Sequence, residues 1–167
     1  MAKYSGTFQS VALTAYANAT SYADSLYPFF LQGANGTQRV NISEVYIGGE
    51  ATSTSSVAIM KLARDSTVSV TPTSGNPTLT DGSATAPGAV ASYGNISTTK
   101  PQRNGSSALL NLSFNAYGGI VRWVSSPDQM ISVVGNTASL GEVSLSAFTG
   151  TTATTSIVSG HVLFEVV

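Results

Sequence analysis

The feature that most constrains this chain is a strict two-residue alternation of apolar and polar side chains. Ala108, Leu110, Leu112, Phe114 and Ala116 fall on one side of an extended strand, while Ser107, Asn111, Ser113 and Asn115 fall on the other. The pattern predicts a half-buried antiparallel strand. Val143, Leu145 and Ala147 repeat it against Glu142, Ser144 and Ser146, and Val162, Phe164 and Val166 repeat it near the C-terminus.

Further stretches rich in β-branched and aromatic residues lie at 7–13, 39–47, 56–63, 67–71, 119–125 and 129–134. Between 39 and 47 the apolar phase changes from Val40 and Ile42 to Val45 and Ile47, which predicts a bulge near Ser43 or Glu44. Asn35-Gly36, Asp81-Gly82, Asn104-Gly105, Gly118-Gly119, Gly135-Asn136 and Ser159-Gly160 carry turn chemistry between the runs. The segment 15–26, with Ala and Leu but also Asn18, Thr20 and Ser21, reads as a short helix or an irregular loop. The whole predicts one antiparallel β-sandwich domain over 1–167, of about 8–10 strands.

Two parts fall outside this pattern. Residues 1–6 read as an N-terminal arm, and residues 71–102, with Pro72, Pro77, Pro87 and Pro101 among Thr, Ser, Ala and Gly, read as a long surface loop region. That loop either reaches a partner or folds over its own sheet.

Composition narrows the function. The chain has no Cys and one His, which removes disulfides, thiolate chemistry and ordinary zinc sites. The only histidine, His161, has no Gly-X-Ser-X-Gly elbow near it, so a structural or surface role is expected. The scattered acids form no recognisable carboxylate pair, and Asp81-Gly82-Ser83 lacks the acid spacing of a calcium loop. No phosphate-cradling glycine motif occurs. No catalytic, cofactor-binding or metal-ligating residue is therefore assigned, and the chain is expected not to be an enzyme.

Charged residues make up 9% of the chain, against about 25% in ordinary domains, and the net charge is −1. The seven cations are dispersed, so no nucleic-acid partner is expected. No secretion signal or membrane-spanning run is evident, so no membrane association is expected. Without that secretory context the six Asn-X-Ser/Thr sequons, at Asn18, Asn35, Asn41, Asn95, Asn104 and Asn111, read as by-products of composition. So neutral a surface favours association. Trp123, beside Arg122, is read either as core or as an interface anchor or sugar platform, and Tyr27 and Phe29 carry the same ambiguity.

Four stretches in one order along the chain resemble a family of small jelly-roll proteins encoded near the capsid genes of tailed bacteriophages. They are Ile47-Gly48-Gly49-Glu50-Ala51-Thr52, then the nine residues from Met60 to Val68 (MKLARDSTV), then Asn115-Ala116-Tyr117-Gly118-Gly119-Ile120-Val121-Arg122-Trp123, and finally Ser159-Gly160-His161-Val162-Leu163-Phe164-Glu165. The resemblance implies a capsid decoration or cement protein: a jelly-roll sandwich, synthesised in the host cytoplasm, that forms a homotrimer on the virion exterior and binds the major capsid protein. It carries over no ligand residue. On this reading the capsid contacts are expected at Ala2, Lys3 and Tyr4 and at Pro72, Pro77, Pro87 and Pro101, with Tyr27, Phe29 and Trp123 as subunit-interface anchors. The alternative is a carbohydrate- or receptor-binding module of a tail fibre or spike.

Overall fold

A computed structural model describes residues 2–15, 26–33, 36–50, 57–67, 74–75, 78–80, 90–93, 102–135, 141–149 and 156–167. The chain forms an all-β sandwich. Its strands are β1 (Ala2–Ala12), β2 (Thr14–Ala15), β3 (Leu26–Gln32), β4 (Arg39–Gly49), β5 (Val57–Thr67), β6 (Ser74–Gly75) and β7 (Thr78–Leu79). They continue with β8 (Val90–Tyr93), β9 (Gln102–Asn115), β10 (Ile120–Val124), β11 (Ile131–Val134), β12 (Glu142–Thr149) and β13 (Ile157–Val166). Among the described residues the only helical piece is a 3-10 turn, Pro127–Gln129, between β10 and β11.

The first sheet has the order β10-β4-β13-β1-β7, with β11 continuing along the β4 edge that β10 leaves. The second has the order β6-β8-β3-β12-β5-β9. All pairings are antiparallel except that of the two-residue β2 with β12. The pairs β1·β13, β3·β12, β4·β10 and β5·β9 nest inside one another along the chain, as in a single ribbon folded back on itself.

The alternation in the sequence points its apolar members between the two sheets. Val40, Ile42, Val45, Ile47, Val162 and Phe164 of the first sheet meet Phe29, Leu31, Met60, Leu62, Val143 and Leu145 of the second, all fully buried. Each such burial contributes about 1.5–3 kcal/mol before chain entropy is set against it. Arg64 ties the layers at one end, its Nη2 donating to the Ser132 carbonyl at 2.7 Å.

The phase change in β4 is a bulge, as its sequence predicts. Leu163 pairs with Glu44 and Phe164 with Ile42, leaving Ser43 as the extra residue. The bulge turns Val45 and Ile47 inward and sends Glu44 and Tyr46 to the outer face. A second bulge at Leu109, between the Leu62·Leu110 and Ala63·Ala108 pairs, reverses the phase of β9 below it. Ala108, expected inward, is therefore exposed.

Other expectations are corrected. The arm of residues 1–6 is the start of β1 from Ala2 onward: Ala2 to Gly6 pair with Val166 to Val162, because β13 offers them a full antiparallel edge. Within the proposed 71–102 loop, β6, β7 and β8 each pair with a sheet, and the remainder lies outside the described residues. Of segment 15–26, Ala15 and Leu26 lie in strands and 16–25 is outside the described residues.

Asn104-Gly105 lies inside β9 and Ser159-Gly160 inside β13, so neither is a turn. At Gly160 a Cβ would overlap the Tyr46 carbonyl and the Phe8 ring, so the glycine permits a close approach within the sheet. Gly118, by contrast, has φ +68 and belongs to the turn from β9 to β10. Finally, Glu142, Ser144 and Ser146, expected to face solvent from a half-buried β12, are fully buried.

Candidate functional site

The outer face of the first sheet carries the chain's most concentrated polar chemistry. Register brings Arg122 (β10), Tyr46 (β4), His161 (β13) and Thr7 (β1) into one row across four strands. The Glu44 bulge position places a carboxylate beneath that row. Arg122 grips it with two parallel bonds, Nε to Oε1 at 3.0 Å and Nη2 to Oε2 at 2.8 Å. His161 Nε2 lies 3.0 Å from Oε1.

Glu44 retains only 10% of its side-chain exposure, whereas Arg122 retains 60%. Burial alone would raise the carboxyl's pKa, but the Arg122 hydrogen bonds outweigh it and, with help from His161, hold it below the ordinary value of 4.5. An ionised carboxylate only accepts, so His161 Nε2–H donates to it. The other face of that ring arrangement is a parallel stack with Tyr46, centroids 5.1 Å apart and planes 9° from parallel.

Beside this cluster a shallow depression of about 530 Å³ opens on the same face. Gln9, Tyr46, Gly48, Ile120, Gly160 and His161 are among the residues that line it. Glu50 also lines it and accepts from the hydroxyls of Ser159 and of Ser10, the latter at 3.2 Å. Ser10 has φ 52 and lies in the β1 bulge between Phe8 and Val11. Its amide donates to Ser159 Oγ at 2.8 Å, so the network around Glu50 holds a backbone conformation that non-glycine residues seldom adopt.

The same face ends at an apolar edge. Gly119 O and Ser125 N point to β4, so in antiparallel alternation the N–H and C=O of Ile120, Arg122 and Val124 point away from the sheet. No backbone partner for these groups exists among the described residues. Ile120 is 62% exposed and Val124 55%, with Tyr117 and Val134 exposed at either end of the strip. On the inner side Val121, Trp123, Leu110, Leu112 and Phe114 pack on the core but remain partly accessible.

The residues expected to be functional do not converge. Tyr4 is buried, its ring 5.6 Å from that of Phe164, and Phe29 is fully buried against Gly6, so neither reaches a partner surface in this fold. Their alternation places them on the inner faces of β1 and β3. Trp123 points inward from β10 and is half-buried. Lys3 is exposed in β1, paired with Glu165, and Ala2 pairs with Val166. Tyr27 lies in β3 by its backbone, and its anchor role falls outside the described residues, as do Pro72, Pro77, Pro87 and Pro101.

Glu44, Tyr46, Arg122 and Ile120 were not singled out by sequence reasoning. The phase change at Ser43 was the available signal for Glu44, since a bulge carries an acid to the outer face beside two neighbouring strands.

Comparison with known proteins yields no match: no family model, no curated protein and no solved structure is significantly similar to this chain.

Proposed function

We propose that this protein is a virion structural protein that decorates and stabilises a bacteriophage capsid, binding the major capsid protein on the shell exterior as a homotrimer. The observation that carries the reading is the edge of β10, where Ile120, Arg122 and Val124 turn their backbone groups away from β4 without a backbone partner among the described residues and where the Ile120 and Val124 side chains are exposed. Long apolar edges are ordinarily guarded by charge, proline or a bulge. Here the one charged side chain on β10, Arg122, is folded back onto Glu44 and leaves the edge unguarded.

An edge of this kind suits strand addition or apolar contact with a fixed protein surface. Repetition of a modest patch around a symmetric oligomer then raises avidity without a large interface in any one copy. Apolar contact also withstands changes of ionic strength that screen exposed ion pairs. The nested strand pairs support the jelly-roll form of the sandwich: the ribbon pairs β1·β13, β3·β12, β4·β10 and β5·β9, rolled up through β13·β4 and β12·β5, produce two such sheets. The reading assigns no catalytic residue, metal or cofactor.

The test is to mix purified protein with genome-filled and with empty, expanded shells and to measure occupancy by sedimentation and by imaging of the particles. Saturation at a fixed stoichiometry, by a protein of trimeric mass in light scattering, is the expected result. Absence of binding to any shell form sinks the proposal.

A further inference from the structure

We propose that the depression over Gly48 binds a neutral saccharide unit. This goes beyond shell binding and does not depend on it. Its volume of about 530 Å³ falls within the roughly 300–1,000 Å³ typical of small-molecule sites, and its shallow form suits a ring lying against the sheet.

The chemistry of the lining selects the class of ligand. Glu50 supplies carboxylate acceptors, and His161, with Nε2 held against Glu44, presents its ring beside them. The Tyr46 hydroxyl lies 3.9 Å from where a Gly48 Cβ would sit, and Gln9 adds an amide that both donates and accepts. A carboxylate beside a hydroxyl and an amide, each able to donate and accept, suits a ligand rich in hydroxyls. Glu50 disfavours anions, and Arg122, paired across the sheet with Tyr46, is turned to Glu44. Ile120, 62% exposed, offers an apolar flank for the C–H face of a sugar ring.

Gly48 is the feature that makes room. A Cβ there would point into the depression and meet nothing closer than 3.8 Å, so the position tolerates a side chain and the space is simply unfilled. Gly160 differs, since its missing Cβ serves packing against Phe8 and Tyr46. Substituting Gly48 therefore closes the depression without disturbing the sheet.

The experiment is titration of the isotope-labelled full chain with free glucose, galactose, mannose, N-acetylglucosamine and, as a cationic control, choline, followed by NMR chemical shifts. At least one sugar is expected to produce saturable shifts at Gly48, Glu50 and His161 with Kd on the order of 1 mM. Gly48→Leu, with an unchanged melting curve, should weaken that binding at least about tenfold, equivalent to about 1.4 kcal/mol. Gln9→Ala, at an exposed position, should weaken it less and serves as the second variant. The proposal is overturned if no sugar shifts these resonances, if choline alone does so, or if affinity is unchanged in either variant. Shell occupancy by the Gly48→Leu protein is expected to match wild type, so failure of the saccharide site and failure of the decoration reading are separately visible.

Discussion

The outer faces of the two sheets contrast sharply. On the second sheet, Phe30, Ala63, Glu142, Ser144 and Ser146 are buried, so β12 is enclosed on both sides although its sequence alternates like a half-exposed strand. On the first sheet, Ile120, Arg122, Tyr46 and His161 remain accessible, and the buried Glu44 is held by Arg122 and His161 of that same face. The β12 strip of the second sheet is thus enclosed by the fold, whereas Asn111, Ser113 and Asn115 on its β9 edge stay exposed, and the first sheet leaves a polar row accessible across its strands. The proposed docking surface lies on that first sheet, at the β10 edge.

A charge placed on each face should break or sharpen that contrast most strongly. Ser144→Asp puts an unpaired charge in the enclosed face of β12 and should destabilise by about 3–5 kcal/mol, whereas Val124→Asp on β10 should stay within about 0.5 kcal/mol. Denaturant midpoints measure both, and equal losses would erase the distinction. Next in size, Gly49→Ala drives a Cβ into the Ala116 backbone and should cost about 1–3 kcal/mol, read as a lower melting temperature. Gly48→Ala, one residue earlier, should cost far less, because its Cβ would meet neighbours only at ordinary van der Waals distance, 3.8 Å or more.

A smaller effect is expected from Glu44→Gln, and it should depend on pH. The folded carboxyl has a lowered pKa, so its stabilising contribution is fully present above the ordinary value of 4.5 and is lost as pH falls through the lower folded value. Wild type should therefore exceed the variant at neutral pH, and the two urea-unfolding curves should converge as pH falls through the carboxyl's lowered folded pKa. A gap that persists into strong acid would show that Glu44 acts through packing and not charge. The smallest stability change belongs to Val124→Lys, which guards the edge with a charge and should leave the midpoint unchanged while lowering shell occupancy. Undiminished occupancy would remove β10 from the docking surface.

Much of this fold was legible in the chain. Two-residue alternation located β9, β12 and β13, and the shift between Ile42 and Val45 announced the bulge at Ser43. The strand readings failed where a local rule met a non-local neighbour. Ser159-Gly160 reads as a turn until Phe8 and Tyr46 are seen to need the space, and Ala108 reads as core until the Leu109 bulge reverses it. The candidate site was hardly legible at all. Tyr4 reads as a contact through its place in a terminal arm and Phe29 as an anchor through its size, but both lie on the inner faces of their strands.

The sequence by itself determined the β class, the inward sides of β12 and β13 and the bulge in β4, because each depends on periodicity and backbone chemistry within a few residues. Only the tertiary structure decided that Glu44 meets Arg122, 78 residues away, and His161, 117 residues away. It alone also decided which outer face is closed. Alternation tells a side chain to leave the core, but pairing between distant strands determines what waits on the other side.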